Sequence, residues 1–424
     1  MRRNILLFIF IGLVLSLKAS DSPYKYNSNS IIPDDTTTWT GRMQQQIDSL
    51  INLPIFETTQ LGLYVRDLTD GRDLVCVNHR QRMRPASCQK VITAIGAIRH
   101  LGGSYKLHTQ MMVTGEVRDS VLWGDVCFIG GMDPLLSQGE VYQMTKALKD
   151  VGIDSLAGVI YLDLTMKSQD DMGWGWCWDD KTVPLRPLMV DKKDHFVSEI
   201  LTDLKLQDVK GASIDRVVQA KCPPSARLLC DVTHTIDQVL ERMMKRSDNY
   251  FAECLFYQLA ALSGHRPAGR SEATGYIDMI IRETGLDPAQ YQIADGSGLS
   301  LYNYVSPELL VRLLQYAYTN EPIRSYLLPS LPIAGIDGTL ERRMLKTPAQ
   351  GNVRAKTGTV EGVSSLSGYC TSPEGHVLVF SIINQGVRQT SQAGHSKTKY
   401  VKHCANEELR NRTTYKIVNR KLIL

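Results

Sequence analysis

The chain has 424 residues and contains no C-x-x-C pair and no H-E-x-x-H stretch. Both common zinc-ligand spacings are therefore absent, and no metal site is expected. A glycine-rich phosphate loop is also missing, and no cofactor is expected. Charge of one sign is not in excess. The formal net charge is +4, to which Arg2, Arg3 and Lys18 contribute three, so nothing in the balance points to nucleic acid. No internal repeat is evident. The apolar run Ile5 to Leu17, behind the basic start Met1-Arg2-Arg3, has thirteen residues. That is short for a membrane span and suits a signal peptide. Residues 1–20 are read as that peptide and 21–40 as a polar leader. Lys18 lies close to the cleavage candidates Ala19 and Ser20, so an uncleaved segment is the alternative and the one route to a membrane. No cysteine follows the run, which argues against a lipid anchor there. Nine cysteines are an odd number, so in an oxidising compartment at least one stays free or pairs between chains. Cys88 is expected as a buried thiol. Cys222 and Cys230 are spaced to close a loop, although spacing alone does not establish a bridge.

Three short patterns occur in a fixed order: Ser87-Cys88-Gln89-Lys90, Ser247-Asp248-Asn249 and Lys356-Thr357-Gly358. Each alone is weak. Together they are the parts of a serine acyl-transfer enzyme that uses lysine as its base. A serine hydroxyl is a poor nucleophile until a neighbouring base takes its proton. Residues three apart share a helix face, so Ser87 and Lys90 can touch. Pro85 suits the first turn of that helix, and Gly102-Gly103 would end it. The run Val91 to Ile98 is apolar nearly all round, as in a buried helix. Lys90 then sits where water is scarce, and burial plus a second cation, with Lys356 the candidate, lowers its pKa.

Ser247-Asp248-Asn249 precedes a helical pattern with apolar residues at 251, 255, 256 and 259. A plain N-cap explains Ser247 or Asp248, but not Asn249 as well. Ser247 can pass a proton to a leaving amine, and the Asn249 amide can hold a substrate peptide bond. Lys356-Thr357-Gly358-Thr359 reads as a strand at a sheet rim. Gly358 lets another backbone approach, and a substrate can add there as a strand. The N–H groups of Ser87 and Thr359 suit an oxyanion hole. Lys356, Thr357 and Thr359 suit a carboxylate.

With these motifs the chain resembles the D-alanyl-D-alanine carboxypeptidase/endopeptidase family of low-molecular-mass class C penicillin-binding proteins. Further stretches carry the resemblance. Ile129-Gly130-Gly131-Met132-Asp133-Pro134-Leu135 is similar to the family's glycine-rich stretch, with Met132 in place of a glycine. Gly173-Trp174-Gly175-Trp176 is similar to its tryptophan-rich segment. Asp295-Gly296-Ser297-Gly298-Leu299-Ser300 and Leu331 to Leu340 match two more family stretches. The resemblance implies a periplasmic or extracellular enzyme, here assigned to the periplasm, acting on peptidoglycan stem peptides and acylated by β-lactams. It also implies Ser87 as nucleophile, Lys90 as base, Ser247 and Asn249 as the second edge of the site, and Lys356 as the substrate-carboxylate residue. Ser87 and Ser247 lie closer in sequence than is usual in the family, which implies a shortened insertion.

The expected fold is α+β: a penicillin-binding-protein/β-lactamase-like transpeptidase fold, an antiparallel sheet flanked by helices, with a smaller inserted domain. Residues 41–102 and 231–424 are assigned to the catalytic domain and 103–230 to the insertion. A helix is expected over 41–53, strands at 61–66, 74–78, 363–371 and 376–384, and a closing helix at about 391–411. Two alternatives stand beside the peptidase reading. A β-lactamase would need a glutamate for deacylation. Glu308 reads instead as a first-turn acid of a helix. An idle peptidoglycan-binding scaffold would not need the three intact patterns.

Overall fold

The computed structural model describes residues 37–388 together with Lys397, Thr398 and Val401. The signal-peptide assignment, most of the leader and nearly all of the expected 391–411 helix lie outside the described residues.

The first helix spans Trp39–Ile51, two residues earlier at each end than expected. Thr38 explains the start: its side chain accepts the Gly41 N–H at 3.1 Å and caps the helix. Strands β1 (Gln60–Asp67) and β2 (Asp73–Val77) form a hairpin around Asp70-Gly71. The chain continues through β3 (Lys106–Val113), β4 (Glu116–Arg118), β5 (Val121–Trp123), β6 (Val126–Ile129), β7 (Ser155–Leu156), β8 (Ile160–Asp163), β9 (Val217–Gln219) and β10 (Arg227–Thr235). It then returns with β11 (Arg354–Val360), β12 (Val363–Thr371) and β13 (Val377–Gln385).

The catalytic sheet has the order β11-β12-β13-β1-β2, and every neighbouring pair is antiparallel. Leu61, Leu63, Val65, Leu366, Phe380 and Ile382 pack on one face against Met43, Ile47 and Leu50 of the first helix. Tyr64, Tyr369, Val379 and Ile383 face a helical layer on the other side. Two helices of that layer are Gln89–Leu101 and Asn249–Ala261. They come close at Gly96, where a Cβ would lie 3.3 Å from Leu259. The expected antiparallel sheet between helices is the fold observed.

A second sheet has the order β10-β3-β6-β8-β9. Helices Gln138–Asp150 and Phe196–Leu206 cover one of its faces through Val141, Met144, Phe196 and Ile200. β4, β5 and β7 make a small third sheet. The boundary assigned at 230/231 falls inside β10, whose pairing with β3 runs on to Thr235.

Candidate active site

Ser87 lies in a single 3-10 turn, Ala86–Cys88, and the α-helix begins only at Gln89. Pro85 therefore precedes this turn and does not occupy the helix's first turn. The turn is pressed from two sides. A Cβ on Gly298 would lie 1.9 Å from the Ala86 carbonyl, and one on Gly358 would lie 2.7 Å from the Pro85 carbonyl. The backbone that Gly358 admits is thus the nucleophile turn itself. Ala86 takes a left-handed φ of 47° between these contacts. Cys88 is a buried thiol, as expected, and donates to the Lys356 carbonyl at 3.2 Å.

Lys90 is fully buried, and its Nζ has three partners. They are Ser87 Oγ at 2.9 Å, Asn249 Oδ1 at 2.7 Å and the Ser297 carbonyl at 2.7 Å. The two carbonyl-type oxygens only accept. A neutral amine keeps its two N–H groups on them and turns its lone pair to the Ser87 hydroxyl. Burial is the main cause that brings the Lys90 pKa down to about 8, against the opposing pull of Asp295, Glu253, Asp248 and Cys88. Lys356 is also buried and held well below its ordinary value, first by burial and then by the charge of Lys90. Burial, and not the expected second cation, is what lowers Lys90, while the charge of Lys90 adds to the lowering of Lys356.

Asp248 is the cap of the helix Asn249–Ala261, with its Oδ1 3.1 Å from the Tyr250 N–H. Its other oxygen pairs with Lys192 and Arg242. Ser247 stands just outside in a left-handed conformation, φ 59°, and its hydroxyl accepts from Lys356 Nζ at 2.8 Å. Lys356 also donates to the Thr357 carbonyl at 2.7 Å. β11 is the edge strand of its sheet. There Thr357 Oγ1 donates to Thr339 at 2.8 Å, and Thr359 is exposed. Lys90 thus joins Ser87 to Asn249, and Lys356 holds Ser247. Gly358 packs on the nucleophile turn, with Thr357 and Thr359 on either side in the strand. Glu308 lies in the first turn of the helix Pro307–Thr319, as expected, and pairs with Arg80.

Sequence reasoning missed the support beneath Lys90. The Ser297 carbonyl belongs to a loop held by two buried carboxyls. Glu253 accepts the N–H groups of Gly296 (3.2 Å) and Ser297 (2.8 Å). Asp295 accepts from Gly298 N, Ser300 N, Asn303 Nδ2 and Trp176 Nε1 at 2.7–2.9 Å. Burial, and then the nearby Asp295, push the Glu253 carboxyl up to about 8. The available signal was a glutamate inside an otherwise apolar run, one helical turn after Asn249. Glu253→Ala strands two buried N–H groups and opens a cavity. Denaturant unfolding is expected to show a loss of about 3 kcal/mol or more, and a loss under about 0.5 kcal/mol would contradict this role.

Met132 has a φ of 51° and is fully buried, so a side chain does fit the left-handed position where the family resemblance implied glycine. Cys222 and Cys230 are not bridged to each other; both are free thiols here, as is Cys127. Among the described residues, Asp67, Asp70 and His376 could surround a metal ion. Asp67 instead accepts the Thr69 and Asp70 N–H groups and bonds His376 at 2.7 Å. No helix among the described residues is long and apolar enough to cross a membrane.

A serine bonded to a buried lysine, set against the edge of such a sheet, defines the class of active-site serine enzymes that penicillin-binding proteins share with class A β-lactamases. Comparison with known proteins then gives the family. The chain belongs to the D-Ala-D-Ala carboxypeptidase 3 (S13) family, whose model matches residues 43–197 and 188–407. It is similar to D-alanyl-D-alanine carboxypeptidase DacB of Haemophilus influenzae, 25% identical over 407 residues, 76% of this chain and 85% of that protein. A D-alanyl-D-alanine carboxypeptidase of Actinomadura is 26% identical over 444 residues, 81% of each chain. The crystal structure of penicillin binding protein 4 from Haemophilus influenzae shares the fold, with a TM-score of 0.76 at 23% identity, over 88% of this chain and 99% of that one. A predatory endopeptidase of Bdellovibrio bacteriovorus shares it more distantly, with a TM-score of 0.56 at 17% identity, over 81% and 92% of the two chains.

Proposed function

We propose that this D-Ala-D-Ala carboxypeptidase-family enzyme trims or cleaves peptidoglycan stem peptides through an acyl-enzyme on Ser87, after export to the periplasm. The observation that carries the reading is the bonding of Lys90, which leaves one lone pair for one hydroxyl. Neutral Lys90 takes the Ser87 proton as Oγ attacks the penultimate D-alanine carbonyl. The N–H groups of Ser87 and Thr359 receive the oxyanion. Ser247, backed by Lys356, delivers a proton to the departing amine. Lys356, Thr357 and Thr359 seat the terminal carboxylate, and Asn249 faces the peptide while holding Lys90. Water then releases the shortened peptide. Related proteins lend support: the Haemophilus protein is known in complex with a β-lactam, and a Bdellovibrio endopeptidase as its penicillin G acyl form.

The test is mass spectrometry of the enzyme and its products. D-Ala-D-Ala peptides should turn over repeatedly, each losing one D-alanine. In penicillin the leaving group stays tethered and can block the water, and the one glutamate weighed for deacylation, Glu308, pairs with Arg80, so the adduct on the protein should last for minutes. An adduct that vanished within seconds as hydrolysed penicillin accumulated would mark a β-lactamase. Failure to form any adduct would favour the idle scaffold.

The pH profile gives an independent check. Only neutral Lys90 can act as base, so the acylation rate should rise with pH through an apparent pKa of about 8. It should flatten above that value. Stopped-flow acylation from about pH 6 to about pH 10 reads this directly, and a flat profile would exclude Lys90 as the titrating base.

A further inference from the structure

We propose that Cys127 and Cys222 form a disulfide that clips the segment joining β9 to β10 onto the face of the second sheet. The topology brings the two thiols together. β9 and β10 are the opposite edges of that sheet, with β8, β6 and β3 between them. Residues 220–226 therefore have to travel from one edge to the other. At about 4.8 Å per strand spacing, four spacings come to about 19 Å, close to the reach of seven extended residues. The strap has little slack.

The registers show which face it crosses. β6 and β8 are parallel, with Cys127 opposite Tyr161 and Ile129 opposite Asp163. Alternation puts Cys127, Ile129 and the Asp163 side chain on one face. Asp163 Oδ2 accepts the Cys222 N–H at 2.8 Å, and Asp163 Oδ1 accepts from Thr165. The strap is also tied by the Ala220 N–H on the Leu162 carbonyl at 3.2 Å. Cys222 thus lies on the face that carries Cys127, close enough for the two thiols to perturb each other. Burial and the neighbours Cys222 and Asp163 hold the Cys127 thiol far above its ordinary value, so Cys127 has little thiolate of its own. Cys222 is the half-exposed partner and Cys127 the buried one. Cys230 lies in β10, two strands away from β6.

The chemistry is thiol–disulfide exchange with a disulfide oxidant such as oxidised glutathione. The Cys222 thiolate attacks one sulfur of the oxidant and expels a thiol. The Cys127 sulfur then attacks Cys222 in this mixed disulfide and expels the second thiol. The two cysteines lose two protons and two electrons, and the oxidant's disulfide becomes two thiols. In the cell, formation rests on the export reading given above, because reducing compartments oppose it.

Purified full-length protein should be incubated with oxidised glutathione and mapped without reduction. The expected result is a mass loss of about 2 Da and one peptide pair joining Cys127 to Cys222. Cys230→Ser should still form it. Cys222→Ser should leave Cys127 unmodified. Reduction should speed tryptic cleavage after Lys221 and lower the melting temperature of the bridged protein by about 5 °C. A Cys222–Cys230 peptide, or a lasting glutathione adduct on Cys222 with Cys127 free, would overturn the proposal. Protein that forms the bridge when purified but is reduced when isolated from cells would overturn export alone and uphold the bridge.

Discussion

Ser87→Ala is expected to abolish penicillin labelling and to lower peptide turnover by about a millionfold, the scale of losing a nucleophile. The fold should persist. The Ser87 side chain makes one bond, from Lys90 at 2.9 Å, and Lys90 keeps Asn249 Oδ1 and the Ser297 carbonyl. A small residue in a 3-10 turn is exchanged for another small residue. Intact mass after penicillin treatment and a thermal melt settle both halves. A variant that still gained the mass of one penicillin would place the nucleophile elsewhere.

Lys90→Arg should be nearly as damaging, and for a different reason. The guanidinium keeps the charge and can supply the same acceptors, but it does not lose its proton in a protein. Acylation should fall by at least about ten-thousandfold, comparable to losing a member of a catalytic triad. Stopped-flow acylation is the measurement. A variant that kept a tenth of the wild-type rate would transfer the role of base to another group, and Lys356, bonded to Ser247, would be the next to test.

The residues that carry the site were legible because each is a side chain at a fixed offset. Ser87 and Lys90 are one helical turn apart, and the strand holding Lys356 announces itself by its neighbours. The sheet was legible for a similar reason: its strands are short runs between turns, and the expected ends fall within about a residue of the observed ones. What could not be read was backbone chemistry. The Ser297 carbonyl bonds Lys90 as closely as Asn249 does, yet a carbonyl leaves no mark in a sequence. Glu253 and Asp295 act on that carbonyl through N–H groups, one step further from view. The Cys127–Cys222 contact was hidden because it depends on which face a seven-residue strap crosses, a property of two strand registers together. Local spacing drew attention to Cys230 instead.

The order of strands bears on how the chain is made. β1 emerges early from the ribosome, but it lies between β2 and β13, and Gln60 pairs with Gln385. Its partner on one side is thus made 325 residues later. Until then the catalytic sheet lacks its β13-centred half, and the nucleophile turn lacks the strand that carries Gly358. Contacts this distant in sequence form slowly. For a chain proposed to be exported, the delay matters: the nucleophile turn cannot be packed against Gly358 before β11 has been made, so activity is expected to wait for the late strands.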